Sequence, residues 1–340
     1  MIAGLKERLA VPAEHTLDRL IAWMGIALVV SVVGFAAYYW YDRQPGAAGP
    51  TPLERQVSAY EQAVRDDPSA LGPRLGLADL YFAAGRYADS VEQYQASLAI
   101  DDKNLVAVWG LARAQFSAGD APGAEANFQK VVDASKDADV RGDLVGAAYY
   151  FLGKIALDRR DPDAAIASLK QAAAIDRADA DAIYLLGAAY VAKGSYDEAM
   201  EQLTKAIRFV PDFAEAYGQM ALVYDAKGMA SEARYARGME LFSQGQLPKA
   251  AKELEAATSA LPSFAGGFVG LGLVKEKQGQ KQAAVNAYQQ ALQLEPENFN
   301  ARQGLVRLGV IQSGATTDAH SGIPGAPAPD PHSGLQGGGQ

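Results

Sequence analysis

Three residues, His15, His320 and His332, have side chains suited to binding a metal or shuttling a proton, and their spacing supports neither role. None has a second histidine four positions away, so no helix turn could offer two imidazoles to one cation. His320 and His332 sit in a stretch rich in glycine and proline and read as solvated side chains. Cysteine is absent, which removes disulfides, thiolate metal sites, a thiol nucleophile and a lipidated-cysteine anchor. The acidic pairs Asp66–Asp67 and Asp101–Asp102 could in principle act as acid and base. Each falls between two helical stretches, where helix capping or solvation explains it better. No phosphate-binding GxxxxGK[ST], no GxGxxG after a strand and no GxSxG occurs. The sequence therefore predicts no enzyme, no cofactor, no metal and no small-molecule substrate. A net charge of −9 without a clustered basic surface also argues against nucleic acid.

What remains is surface, and the elements that would present it are helices. Alanine is abundant and no stretch alternates Val/Ile with polar residues, so an all-α chain is expected. The clearest unit is Ala180–Phe213, two helical stretches with Leu186, Gly187 and Tyr190 in the first, Gly194 and Tyr196 at a turn, Ala199, Leu203 and Ala206 in the second, and Pro211 at the close. Full units of the same 34-residue length follow from Leu71–Asn104, Leu105–Ala138, Gly146–Asp179, Ser231–Phe264 and Ala265–Asn298. Half units stand at Thr51–Ala70 and Ala214–Ala230, and a seven-residue insert, Asp139–Val145, precedes Gly146. Thr51 and Pro52 suit a helix start. Phe299–Leu308 reads as a terminal helix covering the last apolar face.

Each recurring residue type has a physical job. Ala78, Ala112, Gly153, Gly187, Ala221, Gly238 and Gly272 share one place in the first helices, where a small side chain lets two helices approach. Tyr94, Phe128, Leu169, Leu203, Leu254 and Tyr288 recur in the second helices as wedges towards the following unit. Turn glycines such as Gly85, Gly119 and Gly194 supply the left-handed backbone that ends a helix, with Arg160 as the exception. Helix Ser231–Ser243 fits two registers. Its downstream fit, through Gly238 and Leu241, is the better one and implies a break near Gly228–Ser231.

In this register residues 51–311 resemble the tetratricopeptide repeat (TPR) family. The resemblance implies a right-handed superhelical solenoid of TPR helix hairpins whose concave groove binds proteins or peptides. By the family's pattern the groove would take Leu75, Asp79 and Phe82, then Trp109, Arg113 and Phe116, then Tyr150, Lys154 and Leu157, then Tyr184 and Val191, with Tyr235, Met239 and Phe242 later. The lysine/asparagine pairing that clamps a carboxyl terminus in some members is not visible. An aromatic row with two cations, Arg113 and Lys154, is expected to take a partner segment with apolar anchors and an acidic group.

Ahead of the repeats, residues 20–41 form 22 uncharged positions, long enough for a transmembrane helix of roughly 33 Å, with Trp23 near one end and Tyr38, Tyr39, Trp40 and Tyr41 at the other. A signal peptide would have a shorter apolar core and end in small residues. Lys6, Arg8 and Arg19 before the span outnumber Arg43 after it. That favours a single-pass plasma (inner) membrane protein with its N-terminus in the cytoplasm and its TPR domain outside; the reverse topology is the alternative. The expected organisation is a flank (1–19), the span (20–41), a linker (42–50), a membrane-proximal sub-solenoid (51–230), C-terminal units with their capping helix (231–311) and a disordered tail (312–340). The expected function is a membrane-anchored adaptor or scaffold for protein or peptide partners, in assembly of a bacterial envelope complex. A membrane-bound chaperone with broad transient clients, or a regulatory subunit of an enzyme complex, are the alternatives.

Overall fold

The computed structural model describes residues 31–34, 50–135 and 142–312. The proposed span, its flank, nearly all of the linker and of the tail, and all three histidines lie outside these residues, except that 31–34 are helical. Among the described residues no helix is long and apolar enough to cross a membrane.

The chain falls into two compact units, one ending at Asp102 and one beginning at Lys103. The first holds α1 (Pro52–Asp66), α2 (Leu71–Ala83) and α3 (Tyr87–Ile100). Thr51 starts α1 as the sequence suggests: its hydroxyl accepts the Glu54 N–H at 3.2 Å while the Glu54 carboxylate accepts the Thr51 N–H at 2.7 Å. Val57, Leu77 and Tyr81 form its small core, and the Ser90 hydroxyl, fully buried, donates to the Ala78 carbonyl at 2.8 Å.

The second unit runs through α4 (Leu105–Ala118), α5 (Ala121–Ala134), α6 (Gly142–Asp158), α7 (Pro162–Ile175), α8 (Ala180–Lys193) and α9 (Tyr196–Phe209). It continues with α10 (Ala214–Ala226), α11 (Ala230–Ser243), α12 (Leu247–Ala260), α13 (Ala265–Lys277), α14 (Lys281–Leu294) and α15 (Phe299–Arg307). Each helix packs on its chain neighbour. The small-residue places do what the spacing implies. A Cβ added at Gly187 would lie 2.8 Å from Leu203 Cγ, and one at Gly238 2.6 Å from Leu254 Cγ. The wedges fill two hairpins rather than one: Leu254 also lies 3.0 Å from where a Cβ on Gly270 would stand. Glycine turns at Gly119, Gly194, Gly228, Gly245 and Gly279 are left-handed, and Arg160, with φ 60°, takes the same conformation without being glycine.

The insert lengthens a helix start: α6 begins at Gly142 and is 17 residues long, against 13 or 14 for the other first helices of the unit. At Gly228–Ser231, where the sequence implied a break, one hydrophobic core runs on from Ala199 to Val274. Helix α11 packs equally on α10 and α12, closing one hairpin and opening the next. Two of its charged residues face α10: Arg237 pairs with Asp225, and Glu240 Oε1 stands 3.2 Å from where a Cβ on Gly218 would be, whereas Arg234 pairs with Glu253 of α12. Shared use of one helix absorbs the half-repeat step without interrupting the core.

Candidate functional site

The surface to be explained lies on α4 and α6 in the second unit. Trp109, Arg113 and Phe116 stand on one side of α4 at helical spacing, and Tyr150, Lys154 and Leu157 repeat the places on α6. The structure gathers the three aromatic ones around a residue the spacing had not singled out, Phe151. Its ring meets Trp109 edge-on at 6.0 Å, Phe116 at 5.2 Å and Tyr150 at 5.3 Å, and stacks on Phe128 at 4.9 Å. Trp109 also meets Phe128 at 5.5 Å. Phe128 is fully buried, whereas Trp109, Phe116, Tyr150 and Phe151 are each half-buried. Phe128 thus anchors the group in the core and the other rings carry it to the surface. The Arg113 guanidinium lies 5.9 Å from the Trp109 ring and the Lys154 ammonium 5.4 Å from the Phe116 ring, within cation–π range.

Tyr150 also borders a cavity of about 670 Å³ between α6, the end of α7 and the start of α8. Gly146, Ala147, Ala172 and Ile175 give it an apolar floor, and Asp143, Asp176, Asp179 and Asp181 stand around it. Burial raises the Tyr150 phenol above its ordinary value, and Asp181, Asp179 and Tyr184 push it the same way. Asp179 has a structural duty, capping α8 by accepting the Ala182 N–H at 3.0 Å, and Asp176 accepts the Ala178 N–H at 2.9 Å. Among the described residues no group of three or more histidine, cysteine or acidic side chains is arranged to hold a metal.

These half-buried rings sit on hairpins that repeat one residue pattern, and the repeat is matched independently. Two family models, both described as tetratricopeptide repeat, match this chain: one over residues 82–146 and 156–222, the other over 57–104 and 235–298. The chain belongs to the tetratricopeptide repeat family. TPR proteins generally mediate protein–protein interactions. Tetratricopeptide repeat protein 8 of Caenorhabditis elegans is 20% identical over 255 residues, which are 75% of this chain and 46% of that protein. The chain thus spans about half the length of this curated relative. Among solved structures, YrrB, described as a TPR protein with an unusual peptide-binding site, is similar with a TM-score of 0.47 and 21% identity, covering 57% of this chain and 96% of its own. The C-terminal part of a TPR repeat-containing protein from Cytophaga hutchinsonii has a TM-score of 0.49 and 16% identity, covering 74% of this chain and 94% of its own.

The other TPR groove places are distributed unevenly. Leu75, Asp79 and Phe82 belong to the first unit; there the Tyr94 hydroxyl donates to the Asp79 carboxylate, and Phe82 packs on Tyr87 at 5.4 Å. Tyr184 leans on Phe213 at 4.8 Å, so it is half committed to the start of its neighbour helix. Leu157 is partly buried against the core that Ala156, Leu169, Leu186 and Ala189 help form between α6, α7 and α8. Tyr235 and Met239, placed in the groove by the family's pattern, are buried at 1% and 2% exposure, and Phe242 packs against the same core. The cause is the double role of α11: α10, α12 and α13 pack on it and cover the face that a first helix would leave open.

Proposed function

We propose that this TPR protein is a membrane-anchored adaptor whose α4–α6 surface holds a segment of a partner protein. The supporting observation is the ring group around Phe151: four half-buried aromatic side chains on two helices, with Arg113 and Lys154 over them. Rigid aromatic rings fixed from below and wet above are what binding hot spots are made of, because they bury area with little loss of side-chain freedom. The cations suit an acidic group beside an apolar anchor. The uncharged stretch 20–41 supplies the anchor, and the basic bias of its N-terminal flank favours the TPR domain outside the cytoplasm, in a bacterial envelope. There the protein would bring partners together during assembly of a complex.

The test is capture from crosslinked membranes by full-length chain, comparing the native protein with Trp109→Ala/Tyr150→Ala. Loss of a stoichiometric partner with helicity retained is the expected result. Unchanged capture by a folded variant would contradict the reading. Protease protection on the same membranes reports the side on which the TPR domain lies.

A further inference from the structure

Phe151 occupies a place that several other first helices give to glycine. Tyr60 lies against Gly76, Leu254 against Gly270 and Tyr288 against Gly304, so close that an added Cβ would stand 2.3, 3.0 and 2.4 Å from these side chains. At the same place α6 carries a phenyl ring. The Phe128 wedge therefore meets a ring, and the stack continues outwards to Trp109, Phe116 and Tyr150. The aromatic surface arises by departure from the repeat rather than by following it. Lys154 stands at its edge, 5.4 Å from the Phe116 ring and about 18 Å along α6 from the helix start at Gly142.

The chain carries a segment that fits such a surface. Residues 312–340 hold Asp318 and Asp330 and no lysine or arginine, and 323–331 read IPGAPAPDP, with Pro324, Pro327, Pro329 and Pro331. We propose that residues 323–331 dock on the α4–α6 rings of their own chain in the polyproline II conformation and hold the surface closed until a partner displaces them. The inference rests on that surface being the partner site and adds its regulation. Proline-rich segments dock in aromatic-lined grooves because their conformation is already fixed, so little freedom is lost on binding. Pro324 and Pro327, three residues apart, stand on one side of such a segment about 9 Å from each other. That is the scale of a group whose outer rings lie 5.2 to 6.0 Å from Phe151. Charge agrees: with Pro327 at Tyr150, Asp330 comes within side-chain reach of Lys154, one turn further along α6. Length agrees as well. From α6 the row α8, α10, α11, α13 and α15 is continuous, each helix packed on the next, a path of about 40–50 Å at ordinary helix spacing and no longer in a straight line. Fifteen residues separate Gln312 from Pro327 and extend to about 50 Å.

The probe is a fluorescent peptide of residues 321–332, titrated by anisotropy against the full-length chain in detergent. Two tail variants are compared with the native protein: Pro324→Ser/Pro327→Ser, and deletion of residues 313–322, which keeps the prolines but leaves them too short a tether to reach α6. Both changes lie outside the repeats and leave their packing intact. The expected result is that both variants bind the peptide roughly tenfold more tightly than the native chain, whose surface its own tail already fills at high local concentration. Trp109→Ala/Tyr150→Ala in the deleted chain should abolish binding, and Asp330→Lys in the peptide should weaken it. Equal binding by all three chains, or binding by none, would overturn the closed surface, while partner capture that still depends on Trp109 and Tyr150 would leave the adaptor site standing. Tighter binding by the proline variant but not by the deletion would also overturn it, by assigning the occupant to a second copy of the chain.

Discussion

The ring of Phe151 lies parallel to that of Phe128, with centroids 4.9 Å apart and an interplanar angle of 0°. One ring is sealed in the core and the other reaches the surface, so the stack joins the stability of the α5–α6 packing to the rings proposed for recognition. Phe151→Ala should lower stability by about 3 kcal/mol, the low end for removal of a phenylalanine because the ring is half exposed. Phe116→Ala, at the periphery of the group, should lower it less while still weakening partner capture. Thermal unfolding followed by circular dichroism separates the two.

Two glycine-to-alanine changes should have opposite signs. In Gly238→Ala the new methyl would come within 2.6 Å of Leu254, and overpacking should outweigh the gain in helix propensity, for a net loss of about 1–2 kcal/mol. Gly72, exposed near the start of α2, has nothing within 4 Å of its added methyl, so Gly72→Ala should be neutral or stabilising by up to about 0.5 kcal/mol. Gly187→Trp should exceed both in cost. Equal unfolding midpoints for the three variants would contradict the packing described.

Arg160 holds φ at 60° where the other turns use glycine. Replacing it with glycine should stabilise the α6–α7 hairpin by about 1 kcal/mol, by removing the clash of a Cβ in the left-handed region. Hydrogen exchange of the α6–α7 amides would slow if this is right and stay the same or quicken if the arginine side chain outweighs its backbone.

The terminal helix should loosen at acid pH and the tyrosine-rich core at alkaline pH. Arg307 donates two hydrogen bonds to Glu276, at 3.0 and 2.9 Å, and holds its carboxyl below the ordinary 4.5. A lowered value in the folded chain means stability that is present above 4.5 and lost as pH falls through the lowered value. Glu276→Gln should flatten that acid limb. Burial, more than any neighbouring charge, raises Tyr217, Tyr235 and Tyr288, and pushes Tyr224 up to about 12. A raised value means stability that is present below 10 and lost as pH rises towards these values. Tyrosinate absorbance from these groups should therefore appear together with loss of helicity.

The repeat was legible because its register is set by steric necessity. Gly187 and Gly238 face Leu203 and Leu254 so closely that no larger residue fits, and seven residues in a left-handed turn are glycine. Arg160 was legible for the same reason, by its place rather than its type. Phe151 was not, because the sixth place of a first helix lies outside the groove pattern, and only its stacking on Phe128 of α5 and its ring contacts with Trp109 and Phe116 of α4 make it central. Nor was the fate of Tyr235 and Met239, since sharing of α11 between two hairpins depends on contacts with α10 and α13 that the local sequence does not encode. The aspartates around the cavity read as caps and loops one by one. Asp143 and Asp181 are 38 residues apart in the chain, and only the lengthened α6 brings them to the same mouth.

The most direct test of the adaptor reading is site-specific photocrosslinking in membranes, with a benzophenone side chain replacing either Phe116 or Tyr150, and Lys252 on the exposed side of α12 as control. The account predicts that the same partner is trapped from both aromatic positions and none from Lys252. Crosslinks from Lys252 alone, or none from the two ring positions in a chain that remains folded, would contradict it.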